Sequence, residues 1–302
     1  VLRDGITHIG RCAFANCDGL CSDIYIPDSV LSIGDGAFED CDAENCGGVM
    51  GTLRLPPYMK SIGAFAFDNC FFSGDLVIPE GITCIEEGTF SGCRGFYGTI
   101  TFPSTLTTIK RWAFNNCWNF TGTLRFPEGL ETIEESAFSF CESFDELIFP
   151  ESLKEIGTHA FYNCEKLKYP VFTRGMTSIP DFMYCSCSGF TGDLVIPDTV
   201  KEIGACAFAD CRNLKGKLVI PESVTNIGRS AFIGSGFTGS LKIPKNIKII
   251  EDYAFCETSF TGTLVIPNGV TEIGEAAFRS CKGLTGVSLP DGLMKIGDEA
   301  FK

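Results

Sequence analysis

The segment LVIPDTVKEIGACAFADC, residues 194–211, contains the main pattern that recurs along this chain. It begins with the pattern L-x-I-P and continues to Ile203, which is followed by Phe208 five residues later and Cys211 eight residues later. An Ile with an aromatic residue five positions on occurs thirteen times, mostly 23 or 24 residues apart, so the chain is an array of one small unit. The aromatic residue is Tyr184 once and Phe otherwise, and the Ile residues are Ile9, Ile33, Ile62, Ile85, Ile109, Ile133, Ile156, Ile179, Ile203, Ile227, Ile250, Ile273 and Ile296.

Each part of the unit predicts a local structure. The L-x-I-P pattern has a period of two and ends at a Pro that cannot continue a ladder, so it predicts one short strand. The following I-G-x-x-A-F-x-x-C pattern places apolar residues at intervals of four, which predicts a single helical or 3-10 turn. Segments such as Phe120-Thr121-Gly122-Thr123-Leu124 supply a turn back into the next strand.

A unit this small cannot bury its own apolar face and must stack on its neighbours, which superposes the Phe residues in a column. We therefore predict a right-handed repeat solenoid of about 12–13 rungs, with one parallel β-sheet on the concave face and short helical or 3-10 turns on the convex side. We expect residues 1–302 to form a single array that belongs to a longer chain, with an insertion at 42–50. The repeat at 168–187 departs most from the pattern, with Thr173, Pro180 and Tyr184 at the Pro, Gly and Phe positions.

These residues resemble the BspA-type leucine-rich repeats, whose unit is likewise an L-x-I-P strand, an I-G-x-x-A-F turn and an N-C-x-x-L return. The match covers nearly the whole chain. The resemblance implies an α/β-type leucine-rich-repeat fold. It also implies a surface protein of a bacterium or protist that attaches to host proteins, matrix or other cells, so we expect an extracellular or cell-surface location.

Composition narrows the classes of function. The net charge of −14 argues against a nucleic-acid partner, because phosphate binding draws on Lys and Arg. No apolar run approaches the roughly 18 residues of a membrane span, so we expect no direct membrane insertion in this region. His8 and His159 lie about six repeats apart and cannot share a site, and common catalytic motifs are absent. We therefore predict neither an enzyme nor a cofactor or metal site.

Ten of the 17 Cys residues occupy one repeat position, eight residues after the Ile, where Ser235 and Thr258 also occur. This exchange of small residues predicts an inward, space-filling position. Zinc sites need a second closely spaced pair, which the neighbours Cys185 and Cys187 lack. Cys21 and Cys46 follow the repeated Cys of consecutive rungs, so a cross-rung disulfide between them is a further hypothesis.

The middle residue of each L-x-I-P strand is the first candidate for contact with a partner, because it should face solvent. Half of these residues are Val or Ile, and the run at 148, 171, 195 and 219 predicts an exposed apolar stripe. Such a stripe marks a partner site, or else it reflects the general preference of β-branched residues for strands. The middle residues are Tyr25, Arg54, Val77, Thr101, Arg125, Ile148, Val171, Val195, Val219, Lys242, Val265 and Ser288.

Other features also suggest contacts. The insertion at 42–50 breaks the period, and insertions in repeat arrays form loops that can carry specificity. Trp112 and Trp118 lie in one repeat beside Tyr97. Either they anchor an interface with a partner, or they pack at the rim of the array. Asn119 begins an Asn-Phe-Thr sequence that fits the N-glycosylation acceptor pattern.

Three functions remain open at this point. The first is an extracellular adhesion module that binds a protein or glycan, of host or matrix origin, through the concave sheet and its flanking loops. The second is a structural subunit of a filament or surface assembly, because the array opens at Ile9 and closes at Phe301 without polar caps and could self-associate through those ends. The third is an intracellular scaffold that binds partners.

Overall fold

The computed structural model of the chain describes residues 2–17, 24–41 and 51–302. These residues belong to two compact units, unit 1 over Val1–Cys164 and unit 2 over Glu165–Lys302. The insertion expected at 42–50 and the hypothetical disulfide partners Cys21 and Cys46 lie outside the described residues. A single array over the whole chain stays a prediction.

Unit 1 is built from short strands. They are β1 (His8–Ile9), β2 (Ile24–Tyr25), β3 (Ser32–Ile33), β4 (Leu53–Arg54), β5 (Ser61–Ile62), β6 (Leu76–Val77), β7 (Cys84–Ile85), β8 (Ile100–Thr101), β9 (Thr108–Ile109), β10 (Gly122–Arg125), β11 (Thr132–Ile133), β12 (Phe144–Ile148) and β13 (Glu155–Ile156).

Unit 2 continues the same kind of strand. Its strands are β14 (Ser178–Ile179), β15 (Leu194–Val195), β16 (Glu202–Ile203), β17 (Leu218–Val219), β18 (Asn226–Ile227), β19 (Thr238–Gly239), β20 (Ile249–Ile250), β21 (Ser259–Phe260), β22 (Gly262–Val265), β23 (Glu272–Ile273), β24 (Leu284–Ser288) and β25 (Lys295–Ile296).

All strand pairs are parallel and join equivalent positions of neighbouring rungs, which confirms a parallel solenoid. The L-x-I strands form the pairs β2-β4, β6-β8 and β10-β12 in unit 1, and β15-β17 and β22-β24 in unit 2. A second series at the Ile position forms β1-β3-β5 and β7-β9-β11-β13 in unit 1, and β14-β16-β18 and β20-β23-β25 in unit 2. The prediction of one sheet was therefore incomplete, because it treated the Ile only as part of a turn.

The predicted helical or 3-10 turn is not confirmed, since the residues that the structure describes contain no helix. Between Ile203 and Cys211 the backbone forms consecutive turns, in which Cys206 and Asp210 have left-handed φ values of 53° and 56°. The amides of Cys206, Phe208 and Asp210 donate to carbonyls of the next rung at 2.8–2.9 Å, while the intervening amides donate to the residue three positions back. Amides committed to a neighbouring rung cannot form the bonds of a helix.

The predicted column of aromatic rings is confirmed in each unit. In unit 1, the ring centroid of Phe138 lies 5.1 Å from that of Phe114 and 5.7 Å from that of Phe161, with ring planes within 9° of parallel. In unit 2, the rings of Phe208 and Phe232 stack at 5.7 Å. These rings are buried, so the column forms the centre of the core in each unit.

Candidate interaction surface

The middle residues of the L-x-I strands form one exposed surface in each unit, which we call the strand surface. In unit 2, Leu194 pairs with Leu218 and Val195 pairs with Val219. Both Leu side chains are buried, whereas Val195 is 59% exposed and Val219 is 46% exposed. The alternation follows from the two-residue period of a strand, which turns successive side chains to opposite faces. The strand surface of unit 2 consists of Val195, Val219, Lys242, Val265 and Ser288, all exposed.

The strand surface of unit 1 mixes apolar and basic side chains. The guanidinium of Arg54 lies 2.9 Å from Asp28 Oδ1 and 5.4 Å from the ring centroid of Tyr25. These contacts orient the side chain of Arg54. The neighbouring carboxylate of Asp28 raises the pKa of Arg54. Ile148 is half-buried, so the predicted apolar stripe is not fully exposed there. The surface consists of Tyr25, Arg54, Val77, Thr101, Arg125 and Ile148.

An open depression of about 510 Å³ lies around Val77 on this strand surface. Two carboxylates at its edge are already engaged by the next rung. Asp75 Oδ1 accepts hydrogen bonds from the amide and hydroxyl of Thr99 at 2.7 and 2.9 Å, which lowers the pKa of Asp75. Glu80 accepts hydrogen bonds from the amide and hydroxyl of Ser104. The depression therefore offers a partner mainly apolar contacts, including those with the exposed Val77.

The placement of Val171 on an exposed strand is wrong, because Val171 is half-buried and lies outside any strand. Pro170 occupies the position of the strand Leu in this repeat and has no amide hydrogen to donate to a ladder. The hydroxyl of Tyr184 replaces the missing ladder, donating to the carbonyl of Val171 at 2.6 Å and accepting from its amide at 3.2 Å. Tyr for Phe in this rung thus compensates for Pro at the strand position.

We expect Tyr184→Phe to lower the free energy of unfolding by about 1–3 kcal/mol, because it leaves the partly buried amide and carbonyl of Val171 without this partner. Urea unfolding measures the change. Tyr58→Phe is the matched control, because Tyr58 is exposed and should shift stability by less than about 0.5 kcal/mol. Equal effects of the two substitutions would show that the Tyr184 hydroxyl does not compensate for the lost ladder.

The two tryptophans lie at partly exposed positions, each beside an arginine. The guanidinium of Arg111 lies 4.2 Å from the ring centroid of Trp112, and that of Arg94 lies 4.6 Å from that of Trp118. Trp112 belongs to the turns after Ile109, whereas Trp118 follows Cys117 in the return loop. Stacking of this kind holds both indoles at the surface.

The side chain of Asn119 is exposed, but its Nδ2 already donates to the carbonyl of Arg94 at 2.8 Å. A glycan attached at Nδ2 would have to preserve or replace this contact between rungs. Glycosylation at Asn119 stays a prediction.

The repeated cysteines do more than fill space. The thiol of Cys93 donates to the carbonyl of Phe67 at 3.0 Å, and the thiol of Cys117 donates to that of Phe90 at the same distance. The hydroxyl of Ser235 makes the equivalent bond to Phe208 at 2.6 Å. The position therefore requires a small donor, which explains why Ser can replace Cys there. The presence of Ser at one of the repeated Cys positions already indicates in the sequence that a hydrogen-bond donor is needed there.

Burial changes the chemistry of these thiols. It raises the pKa of Cys93, Cys117 and Cys141, because an apolar interior disfavours the thiolate. All cysteines within the described ranges are free thiols. The buried thiols of Cys93, Cys117 and Cys141 are therefore weak nucleophiles at neutral pH, since the thiolate is the reactive form.

The histidines contribute no shared site within unit 1. His8 is exposed in the first rung, with Nδ1 2.7 Å from Ser32 Oγ, whereas His159 lies in the turns after Ile156. Over residues 2–17, 24–41 and 51–302, no three His, Cys, Asp or Glu side chains converge as metal ligands. In the same residues we find no helical segment with the length and hydropathy of a membrane span.

The repeat unit, its strand ladders and its Phe column identify the chain as a leucine-rich-repeat protein. The BspA type leucine rich repeat region matches in six copies over residues 1–48, 60–191 and 177–302. The chain therefore belongs to the BspA-type leucine-rich-repeat family. This family is a repeat scaffold, and membership indicates a module for protein interaction or adhesion.

Three solved structures show the same fold. A leucine-rich repeat protein from Bacteroides ovatus is 24% identical with a TM-score of 0.65, covering 98% of this chain and 81% of its own. A leucine rich cell surface protein from Faecalibacterium prausnitzii is 22% identical with a TM-score of 0.59, and the match covers 95% of this chain and 85% of that protein. The pneumococcal vaccine antigen PcpA is 18% identical with a TM-score of 0.56, and the match covers 98% of this chain and 72% of that protein. No curated protein matches the chain significantly.

Proposed function

We propose that this protein is an adhesion module, located outside the cell or at its surface, that binds a protein or glycan ligand through its strand surfaces and their flanking loops. The observation that carries this proposal is the exposure of apolar side chains at one repeated position, including Val77 at 57% and Val195 at 59%. Exposed apolar side chains that recur on neighbouring rungs offer a partner a contact area larger than scattered surface residues do.

The fold supports a binding surface more than a reaction site. In each unit most rungs present the middle residue of the L-x-I pattern to solvent, and the paired strands are parallel. Such a surface can contact an extended partner over several rungs. The family to which the chain belongs and the description of the F. prausnitzii relative as a cell surface protein are consistent with this location.

Binding of the chain to an array of purified matrix proteins, cell-surface proteins and glycans tests this function. We expect the double variant Val77→Glu/Val195→Glu to weaken the interaction by about tenfold, because it places a charge on an exposed apolar position of each strand surface. Tyr58→Glu/Ile249→Glu is the matched control, since both residues are exposed and apolar but lie outside the strand surfaces.

Two results would contradict the proposal. One is equal binding by the two double variants, and the other is an array without any ligand. Light scattering tests the alternative of a structural subunit. Particles that grow with protein concentration, in the Val77→Glu/Val195→Glu variant as well as in the parent, would favour self-assembly.

A further inference from the structure

Basic side chains are concentrated in one part of unit 2. Residues 201–248 contain eight of the 24 Lys and Arg residues but only three of the 38 Asp and Glu residues. The segment therefore has a net charge of +5, within a chain whose net charge is −14. The overall charge conceals this region because carboxylates elsewhere in the chain outweigh it.

The fold brings part of this segment onto the strand surface of unit 2. Lys242 pairs in parallel register with Val265 of the next rung. Lys242, Lys245 and Lys248 follow one another at intervals of three along a single rung, so their backbones lie within about 20 Å. We call the exposed set Lys217, Val219, Lys242, Lys245, Lys248 and Val265 the lysine surface.

One carboxylate within this region neutralises one of the four lysines. Glu222 Oε1 lies 2.7 Å from Lys242 Nζ, and Glu222 Oε2 accepts a hydrogen bond from the amide of Lys245 at 3.0 Å. Both contacts lower the pKa of Glu222 and keep it ionised. The ammonium groups of the other three lysines, which are Lys217, Lys245 and Lys248, form no ion pair with any residue in the described ranges. The charge of Glu222 also interacts with that of Lys245, so this one negative charge is shared between Lys242 and Lys245 and a net charge of +3 remains for a partner.

The chemistry of the surface indicates what that partner is. Lysine is a flexible point charge, which suits carboxylates spaced along a chain better than a single fixed anion. Val219 and Val265 expose apolar side chains beside the lysines, at 46% and 60%. A sulfated polysaccharide would complement the charges but leave both valines without an apolar partner. A polypeptide that alternates acidic and apolar residues complements both.

We propose that the lysine surface binds an acidic segment of a partner protein that also carries apolar side chains. This rests on the proposed adhesion function and names the chemistry of its ligand. Complementary charge accelerates association and is weakened by salt, since exposed charges are screened beyond about 8 Å at physiological ionic strength. The valines then supply contact that salt does not screen.

Fluorescence anisotropy of the full chain with a labelled peptide of repeating Glu-Glu-Val tests the proposal. We expect binding that weakens as salt is added and that Lys245→Glu/Lys248→Glu reduces by at least about tenfold. Lys60→Glu/Lys282→Glu makes the same change in net charge at exposed lysines outside the lysine surface and should alter affinity by less than about twofold. Lys242 is left in place so that Glu222 keeps its partner, and circular dichroism confirms the fold of both variants.

Three outcomes would overturn the proposal. The first is an equal loss of affinity in the two variants. The second is equal binding of a Glu-Glu-Ser peptide, which would show that the valines make no contribution. The third is tighter binding of dextran sulfate than of the Glu-Glu-Val peptide. If Val77→Glu/Val195→Glu abolishes binding to the array while Lys245→Glu/Lys248→Glu does not, the adhesion function stands and this inference fails.

Discussion

We expect the free energy of unfolding to fall steeply as the pH rises above about 8.5, the ordinary pKa of a thiol. In the folded chain, burial raises the pKa of the repeated cysteines far above that value. A group with a raised pKa in the folded state favours folding fully below its unfolded pKa, and this contribution is lost as the pH rises towards the folded pKa. The unfolded chain then releases protons that the folded chain retains.

The size of the effect follows from the number of such thiols in unit 1. Each one lowers the free energy of unfolding by up to about 1.4 kcal/mol per pH unit. The five together lower it by up to about 7 kcal/mol per pH unit, against a total stability of about 5–15 kcal/mol for a typical domain. The thiols are Cys70, Cys93, Cys117, Cys141 and Cys164.

Urea unfolding under reducing conditions, followed between about pH 7 and pH 10, measures this dependence. The control carries Ser at the five positions, since Ser235 already makes the equivalent hydrogen bond and a hydroxyl does not ionise in this range. We expect the Ser variant to lose much less stability than the parent over the same pH range. If the two curves run parallel, the buried thiols are not the cause of the alkaline instability.

We expect Phe138→Ala to lower the free energy of unfolding by about 3–5 kcal/mol, because it leaves a cavity in the middle of the aromatic column. Phe138 is fully buried and stacks on Phe114 and Phe161, and its ring centroid also lies 5.4 Å from that of Phe126. The loss includes contacts to both neighbouring rungs, which in a repeat protein supply much of the stability. Urea unfolding and amide hydrogen exchange across unit 1 measure it.

The matched control is Phe71→Ala, which removes the same side chain from a position that is 37% exposed. We expect that substitution to cost less than about 1 kcal/mol, because water already contacts the ring. A similar cost for both substitutions would mean that the column contributes no more than an ordinary surface contact.

The column was predictable because identical residues at identical offsets experience the same environment once the units stack. The conformation of the turns was not predictable, as Ile203, Ala207 and Cys211 illustrate. Their spacing of four fits a helical turn, but consecutive turns with left-handed residues at Cys206 and Asp210 also direct every fourth side chain inward. Periodicity alone cannot distinguish a helical turn from these consecutive turns, because the two differ in which carbonyls accept the hydrogen bonds of the amides.

The candidate surface was predictable only in part. The exposure of Val195 and Val219 follows from the two-residue period of the strand. Val171 departs from that period because Pro170 stands at the strand Leu position and has no amide hydrogen to donate to a ladder. The lysine surface was missed for a different reason. Net charge averages over the whole chain, whereas Lys242, Lys245 and Lys248 become significant only through their place in one rung.

The thiol bonds to the Phe carbonyls also bear on how a cysteine-rich core responds to oxidants. Oxidation to sulfenic acid begins with an exposed thiolate, and the buried cysteines present neither exposure nor thiolate. Peroxide would therefore modify the exposed Cys12 before it reaches Cys93 or Cys117. Within the residues that the structure describes, the core thiols can therefore remain unoxidised in aerobic surroundings without disulfide crosslinks.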